Sequence, residues 1–137
     1  MVSTEGRHDR RGGTVLVEAA LVFPILILLT FGLLEYGWLF LRMETITNAA
    51  RRGVRVAVAP DATNADVLSA VNGMMTDAGL GGSGYTVNVS SIDVEAGQAV
   101  SVHIIVPDYD SISLTGSPLI PVPGQIERRV AMVKEGP

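Results

Sequence analysis

The sequence predicts an α+β protein: a long apolar N-terminal helix followed by a small head with a second helix and an antiparallel sheet of about three strands. Three observations carry this. Residues 15–41 are almost wholly apolar, interrupted only by Glu18, Glu35 and small or proline residues. Residues 61–78 then repeat apolar side chains at helical spacing, and from Tyr85 onward the chain turns to Val- and Ile-rich runs separated by Gly and Pro. With 137 residues, 47% of them hydrophobic and concentrated toward one end, little more than the part after Pro60 is left for a water-facing fold.

The apolar stretch exceeds both the ~20 residues of a spanning helix and the ~7–15 of a cleavable secretory signal. No charge lies between Glu18 and Glu35, a gap of about 25 Å at the α-helical rise, against a hydrocarbon thickness of roughly 30 Å. Both carboxylates are therefore expected near bilayer edges, reaching headgroups, with Tyr36 and Trp38 beside Glu35 as an interfacial aromatic belt. Pro24 removes the amide that would bond the Ala20 carbonyl and predicts a bend or loosening there. Basic residues flank the stretch on both sides, Arg7, Arg10 and Arg11 before it and Arg42, Arg51, Arg52 and Arg55 after it, so charge leaves the topology open.

Glu18 admits three readings. It snorkels on a plain signal anchor; or the chain is a secretory precursor cut after Ala59, a site far beyond the apolar run and followed by Pro60; or residues 1–13 are a prepilin-type leader. The last fits the spacing, because cleavage after Gly13 makes Thr14 the new terminus and Glu18 the fifth residue of the mature chain. Gly12 and Gly13 each disfavour helix by about 1 kcal/mol, so the chain is expected to fray there and to fit a protease in extended form. The released amine, with an ordinary pKa of ~7.7–8.0, would sit one helical turn from Glu18. Between packed helices such a cation and anion serve register more than net stability, since desolvation offsets much of their attraction.

Beyond Leu41 the helix is expected to continue, with Ile46, Ala49, Ala50 and Val54 on one face, until Pro60 stops it. Arg51, Arg52 and Arg55 read as a solvated face, with anionic lipid or an acidic partner as the other reading. Asp61 or Thr63 caps a second helix whose stripe is Val67, Leu68, Val71, Met74, Met75 and Ala78, and Gly79 ends it. Residues 81–84 read as a flexible linker, because no lysine follows to make a phosphate loop. Residues 85–94 and 98–106 form a β-hairpin about Glu95-Ala96-Gly97, with Val100, Val102, Ile104 and Val106 on one face. The proline-rich residues 107–124 read as an exposed loop, and residues 126–134 as the third strand.

No enzymatic constellation is present. Absence of cysteine removes disulfides, thiolate zinc sites and thiol nucleophiles. His8 and His103 stand alone, Asp108-Tyr109-Asp110 is too sparse for calcium, and Ser111, Ser113 and Ser117 have no base near them in sequence. No catalytic residue, metal ligand or cofactor is expected. A net charge of −4 gives no reason to expect nucleic acid, and no small-molecule substrate is indicated.

Three stretches point to a family. Val17-Glu18-Ala19-Ala20-Leu21-Val22-Phe23-Pro24, Leu34-Glu35-Tyr36-Gly37 and Thr47-Asn48-Ala49-Ala50-Arg51-Arg52-Gly53-Val54-Arg55 resemble the TadE-like family, minor pilin-like proteins of tight-adherence, type IVb-like pilus systems. The closing Val130-Ala131-Met132-Val133 is similar to the final strand of such chains. The resemblance is strong over residues 11–59 and loose after that. It implies a pilin-like fold, processing by a prepilin peptidase at Gly13 and Thr14, and work within the pilus assembly or secretion machinery. Lipid, the peptidase, other pilin-like subunits and Tad assembly proteins are the implied partners. The expected organisation is a leader over 1–13, a membrane-spanning helix with an extramembrane extension over 14–59, and a head over 60–137. It would lie in the cytoplasmic (inner) membrane, single-pass, with the head outside the cytoplasm. The alternative is a permanently anchored extracytoplasmic binding module that keeps its leader.

Overall fold

The computed structural model describes residues 10–116 and 120–134. Most of the expected leader, with His8, and Ser117 and Pro118 of the late loop lie outside the described residues. The order is α1 (Arg10–Ala57), α2 (Asn64–Asp77), β1 (Thr86–Val89), β2 (Ala99–Val106), a 3-10 turn (Asp110–Ile112) and β3 (Ile126–Val133). The α+β reading and the three-stranded antiparallel sheet are both present, with strand order β1-β2-β3. The chain divides into two units, Met1–Leu34 and Glu35–Pro137.

In the first unit α1 is long and apolar enough to cross a membrane by length and composition, and every side chain described from Gly13 to Phe31 is exposed. A helix with apolar side chains all round needs an apolar surrounding, not one buried stripe. The helix runs without interruption through Pro24. It also runs through Gly12 and Gly13, where fraying was expected. A glycine cost of about 1 kcal/mol is local, and a long run of good helix formers on its C-terminal side propagates past it.

In the second unit the rest of α1 is part of the head. Leu39, Ile46, Ala49, Ala50, Val54 and Ala57 are buried in one cluster with Val67, Val71 and Met75 of α2 and with Val100, Val102, Ile104 and Val106 of β2. The four alternate β2 residues face inward as the period of two requires. Gly53 marks the closest approach: a Cβ built there would stand 2.6 Å from Val71 Cγ2 and 3.4 Å from Val102 Cγ1.

Thr63, not Asp61, is the N-cap of α2. Its hydroxyl accepts from the Asp66 amide, and the Asp66 carboxylate accepts from the Thr63 amide at 3.0 Å, a reciprocal capping box. The helix closes at Ala78, and Gly79 takes φ 71°. The Thr63 hydroxyl and amide hold the Asp66 carboxyl below its ordinary value. Its contribution is therefore complete above the unfolded-chain value of ~3.9 and fades as pH falls through the lower folded value. Replacing Thr63 by Ala is expected to lower stability at neutral pH by about 1 kcal/mol in urea titrations, with the gap to the parent narrowing in acid.

Four local expectations are corrected. The first strand ends at Val89, because the Ser90 hydroxyl accepts the Ser101 amide at 2.8 Å and closes the ladder, while Ile92 turns into the core. The turn at Glu95-Ala96-Gly97 is held toward β3 instead, through Gly97 N–H to the Lys134 carbonyl and Lys134 N–H to the Gln98 carbonyl. Residues 81–84 form compact turns with Ser83 buried and bonded to the Leu80 carbonyl, not a flexible linker. The stretch 107–124 is not simply exposed: Tyr109, Ile112 and Ile120 are buried.

Candidate functional site

The residues singled out in the sequence fall on α1 in two separate groups. Gly13, Thr14 and Glu18 lie in the first unit, all helical and all exposed. Around Gly13 there is open space, with nothing within 4 Å of an added Cβ. Thr14 and Glu18 are four residues apart, hence one above the other on one helix face. Val15, Leu16, Val17, Leu21 and Val22 around them are exposed apolar residues.

Glu35, Tyr36 and Trp38 lie in the head unit, and here the structure departs from expectation. The Glu35 carboxylate, expected to reach headgroups, is 1% exposed. Its Oε1 accepts from the Tyr109 hydroxyl at 2.7 Å and from the Leu114 amide at 3.3 Å. Its Oε2 accepts from the amide and the hydroxyl of Thr115, both at 2.8 Å. Four donors thus converge on one carboxylate, which is how a buried acid is tolerated.

The late loop is shaped for this grip. Tyr109 is fully buried, its amide bonds the Gly124 carbonyl at 3.0 Å, and its carbonyl accepts from Ile112 to start the 3-10 turn. Burial pushes the Tyr109 hydroxyl well above its ordinary value, and donation to Glu35 pushes it further. The hydroxyl is therefore held as a donor. Two more bonds fasten the same loop to α1: Trp38 Nε1 donates to the Ile112 carbonyl and the Tyr36 hydroxyl to the Pro121 carbonyl, each at 2.8 Å. Arg42 stacks on Trp38 at 4.4 Å and donates to the Ala78 carbonyl at the end of α2. Chemically this is a clamp: a carboxylate enclosed by donors that tie the late loop to α1.

Tyr109, Leu114 and Thr115 were not singled out in the sequence. The signal was weak, since an acid closing an apolar run has the same appearance whether it meets headgroups or buried donors. Asp108 and Asp110 bond locally, Asp108 Oδ1 accepting the Asp110 amide at 3.0 Å. Among the described residues no cluster of three or more His, Asp or Glu side chains is placed to hold a metal. His103 Nε2 lies 3.3 Å from Glu127 across the β2–β3 pair.

The N-terminal helix, carrying Gly13, Glu18, Glu35 and the Asn48-Ala49-Ala50-Arg51 stretch, is also where similarity to known proteins falls. Residues 13–55 match the model of the TadE-like protein family. The match begins at Gly13, includes both glutamates, and stops within the last turn of α1. The head beyond α1 lies outside the TadE-like match. No curated protein and no solved structure matches the chain significantly.

Proposed function

We propose that this protein is a minor pilin-like component of a Tad-type pilus assembly or secretion system, inserted in the cytoplasmic membrane by α1 and processed by a prepilin peptidase. In this reading residues 1–13 are removed, Thr14 becomes the N-terminus, and Glu18 sets register by meeting the terminal amine of a neighbouring subunit. The supporting observation is the spacing of Gly13, Thr14 and Glu18 at the head of the segment that matches the TadE-like family. Partners are then the peptidase, pilin-like subunits and the Tad assembly proteins, with the head displayed outside the cytoplasm.

A second reading, a permanently anchored binding module, is favoured by one observation: α1 continues through Gly12 and Gly13 as helix. Sequencing the N-terminus of protein extracted from membranes that contain an active prepilin peptidase separates the two. The first reading expects Thr14; retention of residues before Gly13 overturns it and leaves the second. Glu18→Ala is then expected to insert normally and to lose incorporation into the assembled fibre, scored by fractionation.

A further inference from the structure

We propose that residues 111–116, within the uncharged stretch between Asp110 and Glu127, are a second lipid-contacting element, seated in the bilayer interface at Leu114 on a level with Tyr36, Phe40 and Leu41 of α1. No charged residue occurs in the chain between Asp110 and Glu127. The described residues of this stretch are tied to α1. Leu114 and Thr115 are bonded to Glu35, Ile112 to Trp38, and Pro121 to Tyr36.

The outward side chains at this level are apolar. Phe40 is 67% exposed, Leu41 56%, Leu114 50% and Tyr36 41%. Among the described residues of the head unit the other large exposed hydrophobics are Leu68 and Val133, so four of six gather at one end. A helix face and a loop that together show Phe and Leu to the outside need an apolar phase or a partner. Lipid is the favoured occupant, because α1 is continuous here with the segment long and apolar enough to cross a membrane.

The Glu35 clamp is what makes this placement feasible. A bare carboxylate at position 35 would fix the edge of the hydrocarbon there. With four donors around it, the next charges along α1 are Arg42 and Glu44, almost two turns later. The Arg42 guanidinium lies over the Trp38 ring and donates to the Ala78 carbonyl, so this next charge along α1 is itself held against the protein. The Leu114 and Thr115 amides face Glu35, while the Ile112 and Pro121 carbonyls take the Trp38 and Tyr36 donors, which lessens the cost of leaving bulk water.

The inference rests on insertion of α1 and not on any role in a pilus. The chain has no native cysteine, so single sites can be labelled cleanly. Leu114→Cys, Leu26→Cys and Val133→Cys, each carrying a nitroxide, are placed in full-length protein reconstituted in phosphatidylcholine–phosphatidylglycerol vesicles. Access to oxygen, which concentrates in lipid, is compared with access to a water-soluble nickel chelate. The expected ratio at Leu114 approaches that at Leu26 and clearly exceeds that at Val133. A ratio at Leu114 equal to that at Val133 overturns the proposal. Shielding from both reagents also overturns it, since a protein surface would then cover the loop. A water-like ratio at Leu26 removes membrane insertion itself, and the inference with it. The unsubstituted chain gives a second readout through its one tryptophan. Trp38 fluorescence should be quenched by lipids brominated near the headgroup end of the acyl chain, and unchanged emission counts against the proposal.

Discussion

Replacing Glu35 by Ala is expected to destabilise the head by about 3–5 kcal/mol, the scale for removing one partner from a buried charged network. That is a large share of the roughly 5–15 kcal/mol available to a typical domain. The physical reason is asymmetry. The substitution removes one side chain and strands four donors, of which the Tyr109 hydroxyl lies in a fully buried residue. Glu35→Gln is expected to cost less, because one oxygen remains. Its amide nitrogen can donate to the Tyr109 or the Thr115 hydroxyl, but whichever way the group is turned it also faces a backbone N–H, that of Leu114 or of Thr115, which loses its acceptor. Tyr109→Phe removes a single bond and should cost about 1–2 kcal/mol. Denaturant titrations in detergent, read through Trp38, check the order Ala above Gln above Phe. Equal, small losses for all three would show that the clamp does not hold the loop.

Gly53→Ala is the second large effect, and its sign is opposite to the usual one. In a helix interior that change ordinarily stabilises by about 1 kcal/mol. Here the new methyl would meet Val71 Cγ2 at 2.6 Å and Val102 Cγ1 at 3.4 Å. Valine is stiff about χ1, so neither neighbour can swing clear as a lysine end would. Overpacking of this kind costs about 1–3 kcal/mol, and the net result expected is destabilisation. Adding Val71→Ala opens the space. The double variant should then be more stable than the sum of the two single changes predicts, by about 1 kcal/mol. Simple additivity would place the strain elsewhere.

These two positions show which parts of the molecule could be read from the chain and which could not. The apolar run, the extension of α1, the Thr63 region as a cap and the inward face of β2 were legible, because each follows a local period or a local bond. The span of β1 was not, because a side chain, Ser90, ends it by taking a partner's amide. Glu35 was misread for a related reason. Its partners stand 74 to 80 residues away in the chain, and snorkelling and burial leave the same trace in sequence. Gly53 carried no visible signal beyond its place in Asn48-Ala49-Ala50-Arg51-Arg52-Gly53. Its need for a missing Cβ arises only where α1, α2 and β2 meet.

The allegiance of α1 beyond position 34 to the head has a practical corollary for anyone wishing to make that half in soluble form. A truncation beginning after Pro60 would strip Ile46, Ala49, Ala50 and Val54 from the core and present the inner sides of Val100, Val102 and Ile104 to water. Such a fragment should precipitate. One that starts at or before Leu34 keeps the buried acid and its ring of donors, and should remain folded when its outward Phe40 and Leu41 are given detergent.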